Sequence, residues 1–143
     1  LEGLAWNLYG TDRIVCPLMD ARRNQVYTGI YEFLSLGEGF RLHTLTGQSP
    51  MEIGEILDRL LELDRDVVFL GDGVPVYRDI IRKRAGLRYG FAGPANNRQR
   101  AASVAALGAI YFQEGRTVSP DVHHPEYLRK SQAEREADQG RVL

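Results

Sequence analysis

Three consecutive β-strand candidates near the start of the chain constrain the fold most strongly. Ile14–Met19 is an apolar run, Gln25–Leu34 is rich in β-branched and aromatic residues, and Phe40–Leu45 completes the set. The short turns Ala21–Asn24 and Gly37–Gly39 separate them. Because short turns join antiparallel strands whereas parallel strands need a long crossover, the pattern predicts a three-stranded antiparallel meander.

The first strand candidate contains two unusual residues. Pro17 lacks an amide donor, which predicts a sheet edge or a bulge at that point. Cys16 is the only cysteine, so the chain cannot form an internal disulfide. Since Cys16 lies in an apolar run, we expect a buried, unreactive thiol.

The second strand candidate carries apolar groups on both faces. Val26, Thr28 and Ile30 fall on one face, and Tyr31 and Phe33 fall on the other. The pattern predicts a strand that is covered on both sides.

A helix, a strand and a second helix are predicted next. Ser49-Pro50-Met51-Glu52 has the residues of a capping box with proline at the first helical position, so we expect a helix to begin there. Val67–Leu70 is short and wholly apolar, which is typical of a buried parallel strand. Gly71-Asp72-Gly73 follows, and an amphipathic helix then runs to Gly86.

The remaining segments complete a mixed architecture. Leu87–Phe91 is a short strand candidate, Gln99–Glu114 is an alanine-rich helix candidate, and residues 116–143 are expected to be an irregular tail. A meander that passes into strand–helix units predicts an α/β fold in which a mixed sheet carries packed helices. The length of 143 residues fits one domain, 1–143.

Composition excludes several classes of protein. With 43% hydrophobic and 26% charged residues the chain can bury a core, and a net charge of -1 gives no general attraction to nucleic acid or membrane. No stretch approaches the roughly 20 apolar residues of a membrane span, and no signal segment is evident. We therefore expect a cytoplasmic protein. Leu1–Leu8 has helical spacing without a preceding cap, so we interpret the chain as a fragment that begins within an element.

Charge is distributed unevenly along the middle of the chain. Residues 52–66 include six acidic and two basic side chains, whereas residues 78–100 include seven basic and one acidic. We interpret both segments as solvated helix faces. The alternative is that the basic segment faces an acidic partner or RNA.

Gly71-Asp72-Gly73 is the best candidate for a ligand site. A turn between a buried strand and a helix N-terminus attracts anions, and glycine lets a phosphate approach the backbone closely. The alternative is a plain strand-to-helix turn in which Asp72 or a neighbour caps the helix. The chain contains no phosphate-loop Lys-Ser/Thr signature.

No catalytic or metal-binding constellation is evident elsewhere. Asp20 follows a strand, but no second carboxylate has a diagnostic spacing, so we interpret it as a turn residue that accepts local amide hydrogen bonds. His123 and His124 are adjacent in a loop without the spacing of a metal site. Ser103 and Ser131 lack the context of a nucleophile. We therefore predict neither catalytic nor metal-binding residues and expect no enzyme activity.

The tail contains one further pattern, Tyr127-Leu128-Arg129. Tyr127 and Leu128 can pack on the domain while Arg129 pairs with an acidic group, which predicts an anchor. The alternative is that this segment docks a partner protein.

Two motifs carry a family resemblance. Met19–Arg23 with Val26-Tyr27, and Tyr127–Arg129 with Ala133-Glu134, occur here on either side of the strand-Gly-Asp-Gly-helix unit. In this order they resemble the C-terminal half of the TsaB family (YeaZ-type, formerly glycoprotease-like) of tRNA threonylcarbamoyladenosine biosynthesis proteins. The resemblance implies one lobe of an actin-like ATPase or ribonuclease H-like fold. The N-terminal lobe of the family is not represented.

The same resemblance implies a function. It is that of a non-catalytic scaffold that organises a TsaD-type catalytic paralogue and a TsaE-type ATPase, with tRNA bound only through the complex. It implies no membrane association, no required cofactor, a homodimer for the full-length parent, and weak adenine nucleotide binding near Gly71, Asp72 and Gly73. The alternative is a nucleotide-binding hydrolase or a glycoprotease-like peptidase of the same superfamily.

Overall fold

The structure, a computed structural model, describes residues 1–128, and the helices and strands follow the predicted order. Short 3-10 turns lie at Trp6–Leu8 and Pro94–Asn96. The strands are β1 Ile14–Asp20, β2 Gln25–Leu36, β3 Gly39–Glu52, β4 Val67–Leu70 and β5 Tyr89–Phe91. The helices are α1 Glu2–Ala5, α2 Ile53–Glu62, α3 Gly73–Lys83 and α4 Ala101–Gln113.

The five strands form one mixed sheet. Their order is β3-β2-β1-β4-β5, with β1–β2 and β2–β3 antiparallel and β1–β4 and β4–β5 parallel. This confirms the predicted meander and the predicted mixed sheet. β1 pairs with the antiparallel strand β2 on one side and with the parallel strand β4 on the other. The β1–β2 turn and the turn after β4 therefore lie side by side at one end of the sheet.

Neither the edge position nor the bulge predicted at Pro17 is found, because β1 is central and its pairing with β2 keeps one register on both sides of the proline. Pro17 lies in β1, the central strand, beside Leu70 of β4. In the pairing of β1 with β2, Val15 lies opposite Tyr31 and Leu18 lies opposite Thr28. Pro17 lies between these two pairs. The Thr28 hydroxyl donates a hydrogen bond to the Pro17 carbonyl at 2.8 Å, and this side-chain contact links the two strands where the proline has no amide to donate.

The predicted helix start at Ser49 is also wrong. β3 continues through Glu52, and Ser49, Pro50 and Met51 pair with residues of β2. The Ile53 amide then donates to the Asn24 carbonyl at 3.0 Å, and α2 begins without a side-chain cap. Ladder pairing replaces the capping box because β3 is an edge strand, where a proline without an amide donor is tolerated.

The core has two layers, one on each face of the sheet. α2 and α3 cover one face, where Ile56 and Ile81 are fully buried. α1, the first 3-10 turn and α4 cover the other face with Leu4, Trp6 and Leu107. β2 contributes to both layers, as its alternating apolar residues predicted.

Helix α4 is uncharged over its whole length but buries only a narrow stripe. Ser103 and Leu107 are its buried residues, whereas Val104 and Phe112 are exposed. It packs on α1, where a Cβ at Gly3 would lie 3.0 Å from the Val104 Cγ2 atom. The Tyr111 hydroxyl fixes this contact by donating to Glu2 at 2.7 Å. Apolar helices of this kind are ordinarily covered on more than one side.

Candidate functional site

The turn Gly71-Asp72-Gly73 between β4 and α3 packs directly on strand β1. Gly71 has a φ of +110°, and a Cβ there would lie 2.2 Å from the Leu18 carbonyl oxygen. A Cβ at Gly73 would lie 3.0 Å from the same oxygen. Both glycines are therefore explained by close approach of two backbone segments, whether or not a ligand binds.

Asp72 joins this turn to the turn that follows β1. Its Oδ1 atom accepts a hydrogen bond from the Asp20 amide at 3.1 Å, and no side-chain cap bond forms at the start of α3. The prediction that Asp72 caps the helix is therefore wrong, because its carboxylate points across the sheet edge to the neighbouring turn.

Asp20 is a turn residue, as predicted. Its Oδ1 atom accepts hydrogen bonds from the Arg22 amide at 2.9 Å and from the Tyr77 hydroxyl at 3.1 Å. The Tyr77 hydroxyl also lies 3.2 Å from the Gln25 carbonyl oxygen, to which it can donate. Burial, followed by the bond to Asp20, raises the pKa of Tyr77. The network joins β1, β2 and α3.

The β1–β2 turn has an unusual backbone. Arg22, Arg23 and Asn24 have φ values of 64°, 55° and 59°, so three successive non-glycine residues are left-handed. Such residues are uncommon and need support from the surrounding structure. That support comes from the hydrogen bonds of Asp20 on one side of the turn. On the other side, the Ile53 amide donates a hydrogen bond to the Asn24 carbonyl. The arginine side chains are held outward on a fixed turn.

Asn97 occupies one main-chain donor of the glycine turn. Its Oδ1 atom accepts a hydrogen bond from the Gly71 amide at 3.0 Å. The loop that carries it is held by the Asn7 amide group, which donates to the Asn96 carbonyl at 2.8 Å and to the Arg98 carbonyl at 2.7 Å. Sequence reasoning missed Asn7 and Asn97, because neither belongs to a local pattern.

The contact between the β1–β2 turn and the glycine turn is thus a closed polar network with acidic side chains at its surface. Gly71 already has a partner, and Asp20 and Asp72 place two carboxylates beside the turn. A phosphate bound here would meet negative charge, with the exposed Arg22 as a neighbouring cation, 3.8 Å from Asp20. Weak nucleotide binding stays a prediction for Gly71, Asp72 and Gly73.

The other candidate residues do not form a site in the part of the chain described. His123 and His124 are exposed, and residues 1–128 contain no group of three side chains able to hold a metal ion. Cys16 is fully buried with its Sγ atom 3.5 Å from the Thr28 hydroxyl, and burial raises its pKa to about 12. Ser103 is buried in α4, and Ser131 lies outside the described residues.

The acidic and basic segments of the middle of the chain pair with each other. Arg88 contacts Asp64 at 2.7 Å and Asp66 at 2.8 Å, and Arg84 contacts Asp58. All these side chains are largely exposed. The exposure of these side chains agrees with a solvated surface, but Asp64, Asp66, Arg84 and Arg88 lie outside the helices, so the predicted helix faces are only part of it.

The tail contacts the domain differently from the prediction. Glu126 accepts a hydrogen bond from the Gln48 amide group at 2.7 Å, whereas Tyr127 is 85% exposed. The predicted packing of Tyr127 is therefore wrong, whereas Leu128 is half-buried, and the hydrogen bond to Glu126 is a further attachment of the tail. Arg129, Ala133 and Glu134 lie outside the described residues.

Comparison with known proteins identifies the relatives of the chain. It is 35% identical over 137 residues to the tRNA threonylcarbamoyladenosine biosynthesis protein TsaB of Bacillus subtilis (strain 168), a match over 94% of this chain and 55% of that protein. The chain belongs to the TsaB family. It spans about half the length of this curated relative, as the predicted resemblance to one half of the family implied. No protein-family model matches the chain.

Solved structures agree at the level of the fold. YeaZ from Pseudomonas aeruginosa matches with a TM-score of 0.60 and 20% identity, over 89% of this chain and 56% of YeaZ. A P. aeruginosa protein described as similar to the peptidase YeaZ also gives 0.60, with 19% identity, 90% coverage of this chain and 56% of that protein. The predicted actin-like, ribonuclease H-like fold is confirmed. Within residues 1–128 no helix is both long and apolar enough to cross a membrane.

Proposed function

We propose that the chain is a non-catalytic organising part of the machinery that attaches a threonylcarbamoyl group to the adenosine beside the tRNA anticodon. The observation that carries this proposal is the 35% identity to TsaB across nearly the whole chain. Since the chain spans 55% of that relative, the role assigned to it is that of one lobe. Its partners are a TsaD-type catalytic subunit and a TsaE-type ATPase in the cytoplasm, with tRNA bound through the complex.

The contacts of the candidate residues support a structural role over a catalytic one. Asp20 and Asp72 accept hydrogen bonds that hold two turns together. Cys16 is buried, and its pKa of about 12 leaves almost no thiolate at neutral pH. The side chains best suited to chemistry thus serve the fold.

Adenine nucleotide binding at Gly71-Asp72-Gly73 is proposed only as a weak interaction. Asn97 occupies the Gly71 amide, so a nucleotide must displace a protein contact or bind without that donor. We expect a dissociation constant for ADP on the order of 1 mM or weaker. Isothermal titration of the chain with ADP measures it, and micromolar binding would favour the nucleotide-hydrolase alternative.

Reconstitution tests the proposal. A TsaD-type subunit, a TsaE-type ATPase, tRNA, threonylcarbamoyl-adenylate and ATP are combined with and without the chain, and modified adenosine is measured by mass spectrometry. We expect at least about a tenfold loss of product without the chain, and negligible ATP turnover by the chain alone. A parallel reaction with B. subtilis TsaB checks the reagents. If TsaB supports modification and this chain does not, the proposal fails.

One variant separates organising from catalytic roles. Asp72→Asn keeps an acceptor oxygen for the Asp20 amide but removes the charge, so modification should be unchanged within about twofold. A loss of activity with an unchanged unfolding midpoint would assign Asp72 a chemical role and contradict the proposal.

A further inference from the structure

A pocket of about 140 Å³ opens between the β2–β3 hairpin and the C-terminal end of α4, on the face away from the Asp20–Asp72 network. We call it the α4 pocket. Trp6, Leu42, Leu107 and Ile110 line it, and its remaining apolar walls include Phe40 and Tyr111. A protein cavity of about 150 Å³ holds a molecule of benzene. The α4 pocket therefore has room for one leucine-sized or phenyl side chain.

Two arginines stand at this pocket and share one carboxylate. Arg41 from β3 lies 3.6 Å from Glu114 Oε1, and Arg116 lies 3.6 Å from Glu114 Oε2. Neither distance is short enough for a hydrogen bond. All three residues line the pocket, so the charges of its lining sum to one positive charge. Glu2 lies outside the lining and accepts a hydrogen bond from Tyr111, and its carboxylate also interacts electrostatically with Arg116, which leaves Arg41 as the less fully paired arginine.

The end of helix α4 fixes one of these arginines in place. Gly115 has a φ of +71°, its amide donates to the Phe112 carbonyl at 3.1 Å, and the Arg116 amide donates to the Tyr111 carbonyl at 2.8 Å. This pair of bonds is a Schellman motif, which needs a left-handed residue where glycine stands. It returns Arg116 over its own helix, with the guanidinium carbon 3.6 Å from the centre of the Tyr111 ring.

The rim of the pocket is apolar and open to solvent. Leu36 is 65% exposed and Phe40 is 38% exposed at the hairpin end. Tyr9 packs edge-on against Phe40, and its hydroxyl oxygen accepts a hydrogen bond from the Phe40 amide at 2.9 Å, which supports the end of the hairpin. Exposed apolar groups around a preformed concavity are typical of surfaces that bind a partner.

We propose that the α4 pocket binds an acidic segment of a partner protein through one apolar anchor side chain. The anchor, leucine-sized or aromatic, fills the space between Trp6 and Ile110. Carboxylates that flank the anchor pair with Arg41 and Arg116, and so supply the acceptors that Glu114 alone does not. Planar guanidinium groups suit such carboxylate contacts well.

The chain's only tryptophan gives a direct readout, because Trp6 lines the pocket. The probe is a peptide of aspartate, leucine and aspartate with blocked ends, titrated while Trp6 fluorescence is recorded. We expect a saturable change with a dissociation constant on the order of 1 mM. Peptides with asparagine in place of both aspartates, or glycine in place of leucine, should each bind at least about tenfold more weakly.

Variants of the lining residues test whether the peptide binds in the α4 pocket. The double variant Arg41→Ala and Arg116→Ala should weaken binding at least about tenfold, and Ile110→Phe should reduce it by filling the space. Arg82→Ala, which removes an exposed arginine from α3, is the matched control and should leave binding unchanged. Circular dichroism and urea unfolding of each variant identify any that do not fold.

Amide chemical shifts provide a second readout that does not depend on Trp6. They should move at the hairpin end and the end of α4, and stay unchanged around Asp20 and Asp72. The proposal is overturned if neither readout changes at about 10 mM peptide, if the asparagine peptide binds equally well, or if the folded double variant binds like the parent.

Discussion

The Cα atom of Gly71 faces the carbonyl oxygen of Leu18 so closely that a Cβ would lie 2.2 Å from that oxygen. The turn after β4 and the backbone of β1 are therefore in direct contact, and the Asp72–Asp20 hydrogen bond runs beside them. This contact determines the position of α3 on the sheet.

Gly71→Ala should destabilise the protein severely. The added methyl group collides with backbone, and the φ of +110° is strained for any side chain. We expect a loss of about 3 kcal/mol or more in the free energy of unfolding, measured by urea denaturation. Gly47→Ala, where nothing lies within 4 Å of the added atom, is the matched control and should change stability by less than about 1 kcal/mol. A stable Gly71→Ala protein would show that this glycine does not serve packing.

Tyr77→Phe should cost about 1 kcal/mol of unfolding free energy. It removes the hydroxyl that contacts Asp20 and the Gln25 carbonyl, while the buried ring remains. Tyr89→Phe is a useful comparison because the ring also packs on the core and no hydrogen bond of its hydroxyl is recorded within residues 1–128. Equal effects of the two variants in chemical denaturation would argue against the Tyr77 network.

Stability should fall at alkaline pH, in part through Cys16. Burial raises its pKa from 9.0 to about 12, so the unfolded chain releases the proton first. The stabilisation is present below 9 and is lost as pH rises toward 12, at up to about 1.4 kcal/mol per pH unit. Burial also raises the pKa of Tyr31 and of Tyr111, and both act in the same direction.

Cys16→Ala isolates the contribution of the thiol. Urea unfolding at about pH 8 and about pH 11 should show a smaller alkaline loss in the variant than in the parent, since the tyrosines are unchanged. The variant should also be about 1–2 kcal/mol less stable at neutral pH, because it leaves a small cavity. An identical alkaline loss in the two proteins would exclude the thiol as its source.

Glu32→Gln should reduce the loss of stability in acid. Glu32 accepts hydrogen bonds from Arg65 at 2.6 Å and from His43 at 3.0 Å, and Arg65 first, then His43, lower its pKa below 4.5. The unfolded chain therefore takes up the proton first as pH falls. The stabilisation is present above 4.5 and is lost as pH falls through the lower native pKa.

At neutral pH the variant should lose about 1 kcal/mol or less, because Arg65 and His43 are partly exposed to solvent. Glu62→Gln, at an exposed position of α2, is the control. Unfolding curves at about pH 7 and about pH 3.5 give the comparison, and an unchanged acid sensitivity in Glu32→Gln would contradict the assignment.

Local patterns predicted most elements of the fold. Alternation in β2 and the apolar run of β4 identified both strands, and the alanine-rich run before Gly115 identified α4. These signals work because the residue types act on their own segment: side chains alternate along a strand, and a left-handed cap needs glycine.

The errors arose where a distant segment decides the outcome. Ser49-Pro50-Met51-Glu52 has a good helix start, but pairing with β2 extends the strand through it. Pro17 looks like an edge residue, yet the Thr28 hydroxyl accommodates it inside the sheet. Asn97 had no signal at all, because its role depends on the Gly71 amide, which lies far from it in sequence. The α4 pocket likewise joins the first 3-10 turn, the hairpin and the last helix.

The central position of β1 sets an order for folding. β1, β2 and β3 are joined by short turns, so their contacts form with little loss of chain entropy. The β2–β3 hairpin and α2 lie between Ile14 and its partner Val67 in the sequence, so this pairing must bring together two distant parts of the chain. Long-range parallel pairing of this kind is slow. We expect the meander to form first, and the rate-limiting step to be the docking of β4 and its glycine turn beside β1.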